Sequence, residues 1–187
     1  FAAEGKDIII PEGYFTSVSG VVENITIPEK SEGSYMIHLK TNQGQPATFR
    51  VKPNAYWEEN LKEKLAVGMK ITGFYQTGVP MVMIYPPQYP IEIVLAEVDK
   101  NTQVKADRFD KNGVSTDGFL QYRVGEETQI ILQDGSKYDG SLENRKLIVY
   151  YSVSTRSVPA QMTPTKIIVL FEEAQGPLSK MEKGEAA

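Results

Sequence analysis

LAVGMKITGFYQTGVPMVMIYPPQYPIEIVLAEV, residues 65–98, decides how this chain is read, because a shorter echo of it returns at residues 142–171 as LENRKLIVYYSVSTRSVPAQMTPTKIIVLF. Each copy opens on a Leu and a polar turn, then runs into an apolar strand that ends in aromatics, over 69–75 and 147–151. Each passes a turn bearing Thr or Ser to a Val-Pro pair, Val79-Pro80 and Val158-Pro159. Each meets proline again, at Pro86 and Pro164, and closes on a β-branched strand over 91–94 and 167–169. Internal likeness of this length implies two related β-units in one chain.

Outward from the first copy, the pattern stays strand-like. Phe15, Val18, Val21, Val22, Ile25 and Ile27 mark a strand over 14–27, with Gly20 placing a bend or bulge. Residues 28–33 are a loop by composition. Tyr35, Ile37 and Leu39 alternate with Met36, His38 and Lys40, the period of a half-buried strand. The turn at 42–46 leads to a third strand over 47–52. A helix is expected from Asn54, its cap, with Trp57, Leu61 and Leu65 on one stripe and Gly68 at its end. Three strands, a helix and two strands is the order of the OB-fold, a five-stranded Greek-key barrel.

Asp99-Lys100-Asn101-Thr102 is a polar break and the expected domain boundary. Beyond it strands are read over 103–110, 119–124 and 129–132. A turn at 141–145 then replaces the helix, and the echoed strands follow. Asp117-Gly118, Asp134-Gly135 and Asp139-Gly140 punctuate the unit as hairpin turns. The expected fold class is therefore mainly β: two tandem OB-like five-stranded barrels. The first spans residues 1–98 with an N-terminal arm at Ile8-Ile9-Ile10, the second spans 99–175, each has its own modest core, and 176–187 form a flexible tail.

A net charge of −4 and a pI near 5.2 argue against a nucleic-acid partner, which needs a basic face. The chain contains no cysteine, which excludes disulfides, thiol catalysis and cysteine-ligated metals. No apolar run approaches the roughly 18 residues of a membrane span. Phe1 followed by Ala2-Ala3 reads as a chain processed behind a removed signal peptide.

VGMKITGFYQTGVPMVMIYPPQY and DGSKYDGSLENRKLIVYYSVSTRSVPAQMTPTKIIVLFE together resemble uncharacterised secreted or cell-surface proteins of Gram-positive anaerobes. Those proteins often carry a separate domain similar to the N-terminal domain of copper amine oxidases. The resemblance covers residues 14–172 and implies an extracytoplasmic location. It implies no activity, no cofactor and no site residues.

Tyr75, Tyr85 and Tyr89, with Phe74 and the Pro86-Pro87 pair, are the leading ligand-binding candidates, because aromatics on an OB face stack bases or sugar rings. Tyr151 and Arg156, beside Tyr150, are their equivalents in the second unit. The competing reading has alternate members of the set in the core. Asp107, Asp110, Asn112, Ser115 and Asp117 gather oxygen ligands suited to Ca²⁺, but without EF-hand spacing, and hairpin and Asx turns explain the same residues. Met81 and Met83 on a strand would share a face, either as a soft Cu(I) site with Met36 and Met69 nearby or as packing. His38, the single histidine, lies on a polar strand face, no serine sits in a G-x-S-x-G elbow, and adjacent glutamates do not face one another. No phosphate-cradling motif occurs.

The sequence thus points to a non-enzymatic module of the cell envelope, with no cofactor, that binds a cell-wall component or envelope protein or serves as a spacer. Oligosaccharide or oligonucleotide binding through the aromatic faces and metal binding are the alternatives.

Overall fold

The computed structural model describes residues 12–27 and 34–172. The Ile8–Ile10 run, the loop at 28–33 and the tail from 176 onward lie outside them. Strands β1 (Phe15–Thr26), β2 (Tyr35–Thr41), β3 (Pro46–Trp57), β4 (Lys70–Gln76) and β5 (Gln88–Ala96) form a closed barrel in the order β1-β2-β3-β5-β4, with β4 returning to β1. Every pair is antiparallel except β3 with β5. Alternation fills the interior: Val22, Ile37, Leu39, Phe49, Val51, Ile71, Ile91 and Val94 are all buried there.

Two glycines let the ring close. Gly20 lies opposite both Thr41 and Ile71, and a Cβ on it would stand 2.4 Å from the Lys40 carbonyl oxygen. The bulge expected near it falls slightly later, between Val22 and Asn24. Gly73 faces inward, where a Cβ would meet Phe49 at 2.6 Å and Ile91 at 2.8 Å.

The helix expected from Asn54 is corrected. Strand β3 continues through Asn54 to Trp57, and α1 is one turn, Leu61–Lys64, entered through Asn60 in the left-handed region (φ 62°). Tyr56 and Trp57 pair with Ile93 and Val94 of β5, and aromatic residues suit such a pleated surface better than a helix start. Pro53 is accommodated where the β3–β5 register shifts, between Val51 and Tyr56, so its missing N–H breaks no ladder bond. Of the expected stripe, Leu61 is buried, Leu65 packs against the barrel core, and Trp57 sits edge-on to Tyr35. Gly68 (φ 95°) ends the segment as expected, its N–H donating to the Val22 carbonyl.

The second unit comprises β6 (Gln103–Phe109), β7 (Leu120–Tyr122), β8 (Gln129–Leu132), β9 (Arg145–Tyr151), β10 (Ala160–Met162) and β11 (Lys166–Val169). It departs from the closed barrel expected. Four strands make an open sheet, β6-β9-β11-β8, and β7 pairs in parallel with β10. The open sheet repeats the order and sense of β1-β4-β5-β3: two antiparallel ladders, then a parallel one. Among the described residues no strand lies beside the free edge of β6 as β2 lies beside β1. After Phe109 the chain folds back on itself, with Phe109 bridged to Ser115 and Val114 to Gln121. That turn occupies the edge a second strand would need.

Three apolar clusters result where two cores were expected. One fills the barrel and one packs Phe109, Leu120, Leu147, Val149, Ile167 and Val169 inside the second unit. The third lies between the units: Phe15, Tyr56, Phe74, Ile93 and Leu95 of the barrel wall pack on Ala106, Ile148, Tyr150, Ile168 and Leu170. Strands β5, β9 and β11 are therefore buried on both faces. Their unbroken apolar runs, such as IVL and LIVYY, are the sequence form of that burial.

Candidate functional site

The connection from β4 to β5, residues 77–87, is a loop, so Met81 and Met83 do not lie on a strand as expected. Nor do they pack: Met83 is 98 % exposed, and Val82, Ile84 and Tyr85 are exposed beside it. The loop is fixed at its ends. The Thr77 N–H donates to the Tyr14 carbonyl, the Thr77 and Thr16 hydroxyls are 2.7 Å apart, and the Thr48 N–H donates to the Pro87 carbonyl at 2.9 Å. Its peptide bond Tyr85-Pro86 is cis, as is Val158-Pro159 in the matching loop of the second unit.

Against this loop lies a cleft of about 540 Å³. One wall is the end of the loop with the start of β5: Tyr85, Pro87 and Tyr89. The opposite wall is the β2–β3 turn, with Thr41, Asn42, Gln43 and Gln45, and the floor is Ser17, Val18 and Ser19 of β1 with Pro46 and Ala47. Tyr89 is held in place by stacking on Tyr75, with ring centroids 5.1 Å apart and planes 24° from parallel. Burial, then the neighbouring Tyr89, raise the Tyr75 hydroxyl pKa. The turn is tied down: the Asn42 N–H donates to the Ser19 carbonyl, Gly44 takes φ 83°, and the Gln45 N–H donates to the Thr41 hydroxyl. The side-chain amides of Asn42, Gln43 and Gln45 are exposed and make no hydrogen bond among the described residues.

The lining has a distinct chemistry. Among the described residues that form the cleft none is charged; it offers two tyrosine rings beside amides and hydroxyls. Amides present a donor and an acceptor side by side, and hydroxyls do both. A second cleft of about 380 Å³, between the units, differs: Glu59, Asp134 and Lys166 stand in its wall with Tyr56 and Trp57.

Of the expected binding residues, Tyr75, Tyr85 and Tyr89 are therefore brought together, Tyr75 as the support behind Tyr89. Tyr151 and Arg156 do not join them. Tyr151 ends β9 half-buried against the core of the second unit, and burial raises its hydroxyl pKa. Arg156 is exposed in the loop between β9 and β10, whose shape is held by Thr155, Ser157 and the Pro159 carbonyl.

The oxygen-rich segment 107–117 is not gathered around a point. Asp107 is buried on β6, where one carboxylate oxygen accepts from the Tyr14 and Arg108 N–H groups, both at 2.7 Å. Asp110 accepts from the Asn112 and Val114 N–H groups, an Asx turn. The Asn112 carbonyl accepts from Gln121. Asp117 accepts from the Ser115 hydroxyl and the Phe119 N–H and pairs with Lys105. Burial pushes the Asp117 carboxyl up, but those hydrogen bonds, Lys105 foremost, outweigh it and hold it below its usual range. No group of three or more acidic or histidine side chains suited to a metal occurs among the described residues. His38 lies across from Thr48, its Nδ1 3.1 Å from the Thr48 hydroxyl.

Sequence reading found the aromatic wall and missed the polar one. The signal was present in Asn42-Gln43-Gly44-Gln45, which reads as a turn from its glycine and as a ligand surface only once the opposite wall is seen. No protein-family model matches the chain, and the comparisons with curated proteins and with solved structures likewise found no match.

Proposed function

We propose that this chain is a non-enzymatic binding module of the cell envelope, and that its barrel, of OB type, holds a neutral oligosaccharide in the cleft between the 77–87 loop and the β2–β3 turn. The observation that carries the reading is the uncharged lining, with tyrosine rings on one wall and exposed side-chain amides on the other. Pyranose rings bring apolar C–H faces for an aromatic platform and hydroxyls that match amide donors and acceptors. Nucleic acid needs cations along its backbone, and none lines this cleft. Glycoside hydrolysis needs a pair of carboxylates across the bond, and the lining supplies neither, which supports binding over turnover.

The OB reading is supported by the strand order 1-2-3-5-4 with its helical turn between the third and fourth strands. Ligand binding on that fold uses the face of strands 2 and 3 with the neighbouring loops, one of which is the 4–5 loop that walls this cleft. The second unit is an opened copy of the same plan, a reading supported by its matching ladders. It serves as a buttress that holds the barrel in one orientation. Extracytoplasmic placement is supported by the resemblance of residues 14–172 to surface proteins.

The test is a binding screen of the purified chain on an array of neutral and anionic glycans, with single-stranded DNA alongside. Retention of neutral oligosaccharides, with little change between low and high salt, is the expected result. Retention of anionic ligands alone, falling steeply with salt, would overturn the reading.

A further inference from the structure

We infer that the glycan the cleft accepts is the neutral headgroup of a lipid at a bilayer surface, and that residues 81–85 seat in the interfacial layer beside it. The inference rests on the oligosaccharide reading above and names the form in which that ligand is met.

Its basis is a juxtaposition. The uncharged polar cleft and the exposed apolar loop share a residue: Tyr85 lines the cleft and also ends the run Met81-Val82-Met83-Ile84-Tyr85. Exposure along that run is 38 %, 73 %, 98 %, 46 % and 74 %, and the whole loop from Thr77 to Pro87 carries no charge. Large apolar side chains left in water beside a polar cleft suit a ligand that is polar at one end and apolar at the other.

The apolar part is better matched to lipid than to a folded partner. The side chains project from a narrow loop whose most exposed residue, Met83, has almost nothing of its own chain beside it, so there is no shaped pocket to complement a protein. A bilayer interface needs no such shape. It penalises unpaired backbone donors instead. Pro80, Pro86 and Pro87 have none to leave unpaired and the Ile84 N–H donates to the Val82 carbonyl, while the Met81, Val82, Met83 and Tyr85 N–H groups, without a partner among the described residues, lie at the hydrated headgroup level, where water satisfies them. Tyrosine prefers the headgroup level, which is where Tyr85 would lie when its ring also borders the sugar. With net charge −4 on the chain and no cation in the loop, attraction to anionic lipid contributes nothing. The loop alone is too short for firm attachment, and it adds to a sugar contact by joining two weak interactions in one molecule.

The experiment compares three probes: phosphatidylcholine vesicles, the same vesicles carrying a dihexosyl diacylglycerol, and the free dihexoside. Vesicle sedimentation and calorimetry measure binding of the wild type, of Met83→Asp and of the double variant Asn42→Ala/Gln43→Ala; these side chains are exposed, so folding is not at issue. The wild type is expected to bind the glycolipid vesicles at least about tenfold more tightly than the free dihexoside and to ignore plain vesicles. Met83→Asp should lose that gain and keep its affinity for the free sugar, while the double variant should lose both. Equal affinity for free and lipid-borne sugar overturns this inference and leaves the oligosaccharide reading standing. Binding to plain vesicles as strong as to glycolipid vesicles also overturns it. Binding to neither sugar form overturns both readings.

Discussion

Gly73 faces the barrel interior with Phe49 and Ile91 already against its backbone, so even one methyl group there has no room. Overpacking of a filled core costs about 1–3 kcal/mol, so Gly73→Ala should lower the melting midpoint by several degrees, about 2–4 °C per kcal/mol in a chain of this size. A midpoint unchanged in calorimetry would mean that the barrel is less tightly filled than described. Glu58 makes a different test. Burial raises its carboxyl above the ordinary range, against the opposing pull of the Ala96 N–H, Lys166 and the Tyr150 hydroxyl. A carboxyl raised by folding contributes stability that is fully present below its unfolded value and is lost as pH climbs through its folded value. At neutral pH, above the ordinary glutamate range, the raised carboxyl therefore costs stability. Glu58→Gln should melt higher than wild type at pH 7 and coincide with it below about pH 4, the ordinary glutamate range. A variant that melts lower at pH 7 would show that the ion pairing outweighs the burial. The glycine was legible in the sequence as a strand glycine. The glutamate was not, since its burial depends on a neighbour 92 positions away.

Strand β3 and the turn that follows it show where periodicity misled. Trp57, Leu61 and Leu65 have helical spacing, yet Trp57 belongs to a strand, Leu61 to a single helical turn and Leu65 to the chain beyond it. Spacing by four fits both histories, and what decided the outcome was the pairing of Tyr56 and Trp57 with β5, information that lies some 37 residues downstream. Leu61 is nonetheless buried, as its place on the apolar stripe implied, 1 % exposed against the barrel core. Leu61→Ala should destabilise by about 2–5 kcal/mol in a denaturant melt, and a loss under 1 kcal/mol would mean that the turn does not seal the barrel. The short strands over 129–132 and 166–169 were legible from β-branched runs alone, and the turns at Asp117-Gly118 and Asp134-Gly135 from their residue types, whereas the hairpin turn expected at Asp139-Gly140 is only a bend. Strand β10 was not: its Ala160, Gln161 and Met162 have no strand signature and pair only because β7 lies beside them.

The fusion of the two units is the feature least visible along the chain. Periodicity reports which residues are buried, and cannot say whether an apolar strand face meets its own unit or another. Ile93 and Leu95 meet Ile148, Tyr150 and Ile168 across the seam, while Val94 between them faces the barrel. A shared cluster of this kind couples the unfolding of both halves. The whole chain should therefore show one calorimetric transition, whereas two resolved transitions would mean that the seam contributes little. On the proposed function, the same fusion would hold the barrel, and with it the polar and aromatic walls of the cleft, in place before a ligand arrives.

The most direct measurement is a titration of the isotopically labelled chain with a neutral oligosaccharide retained on the array, followed by the amide resonances. Binding in the cleft should move the side-chain amides of Asn42, Gln43 and Gln45 and the backbone signals of Ser17, Ser19 and Tyr89 together, and leave Asp134 and Gly135 at the charged cleft untouched. Shifts confined to Trp57, Gln133 and Gly135 would place the ligand in the seam and contradict the assignment of the barrel cleft as the binding site.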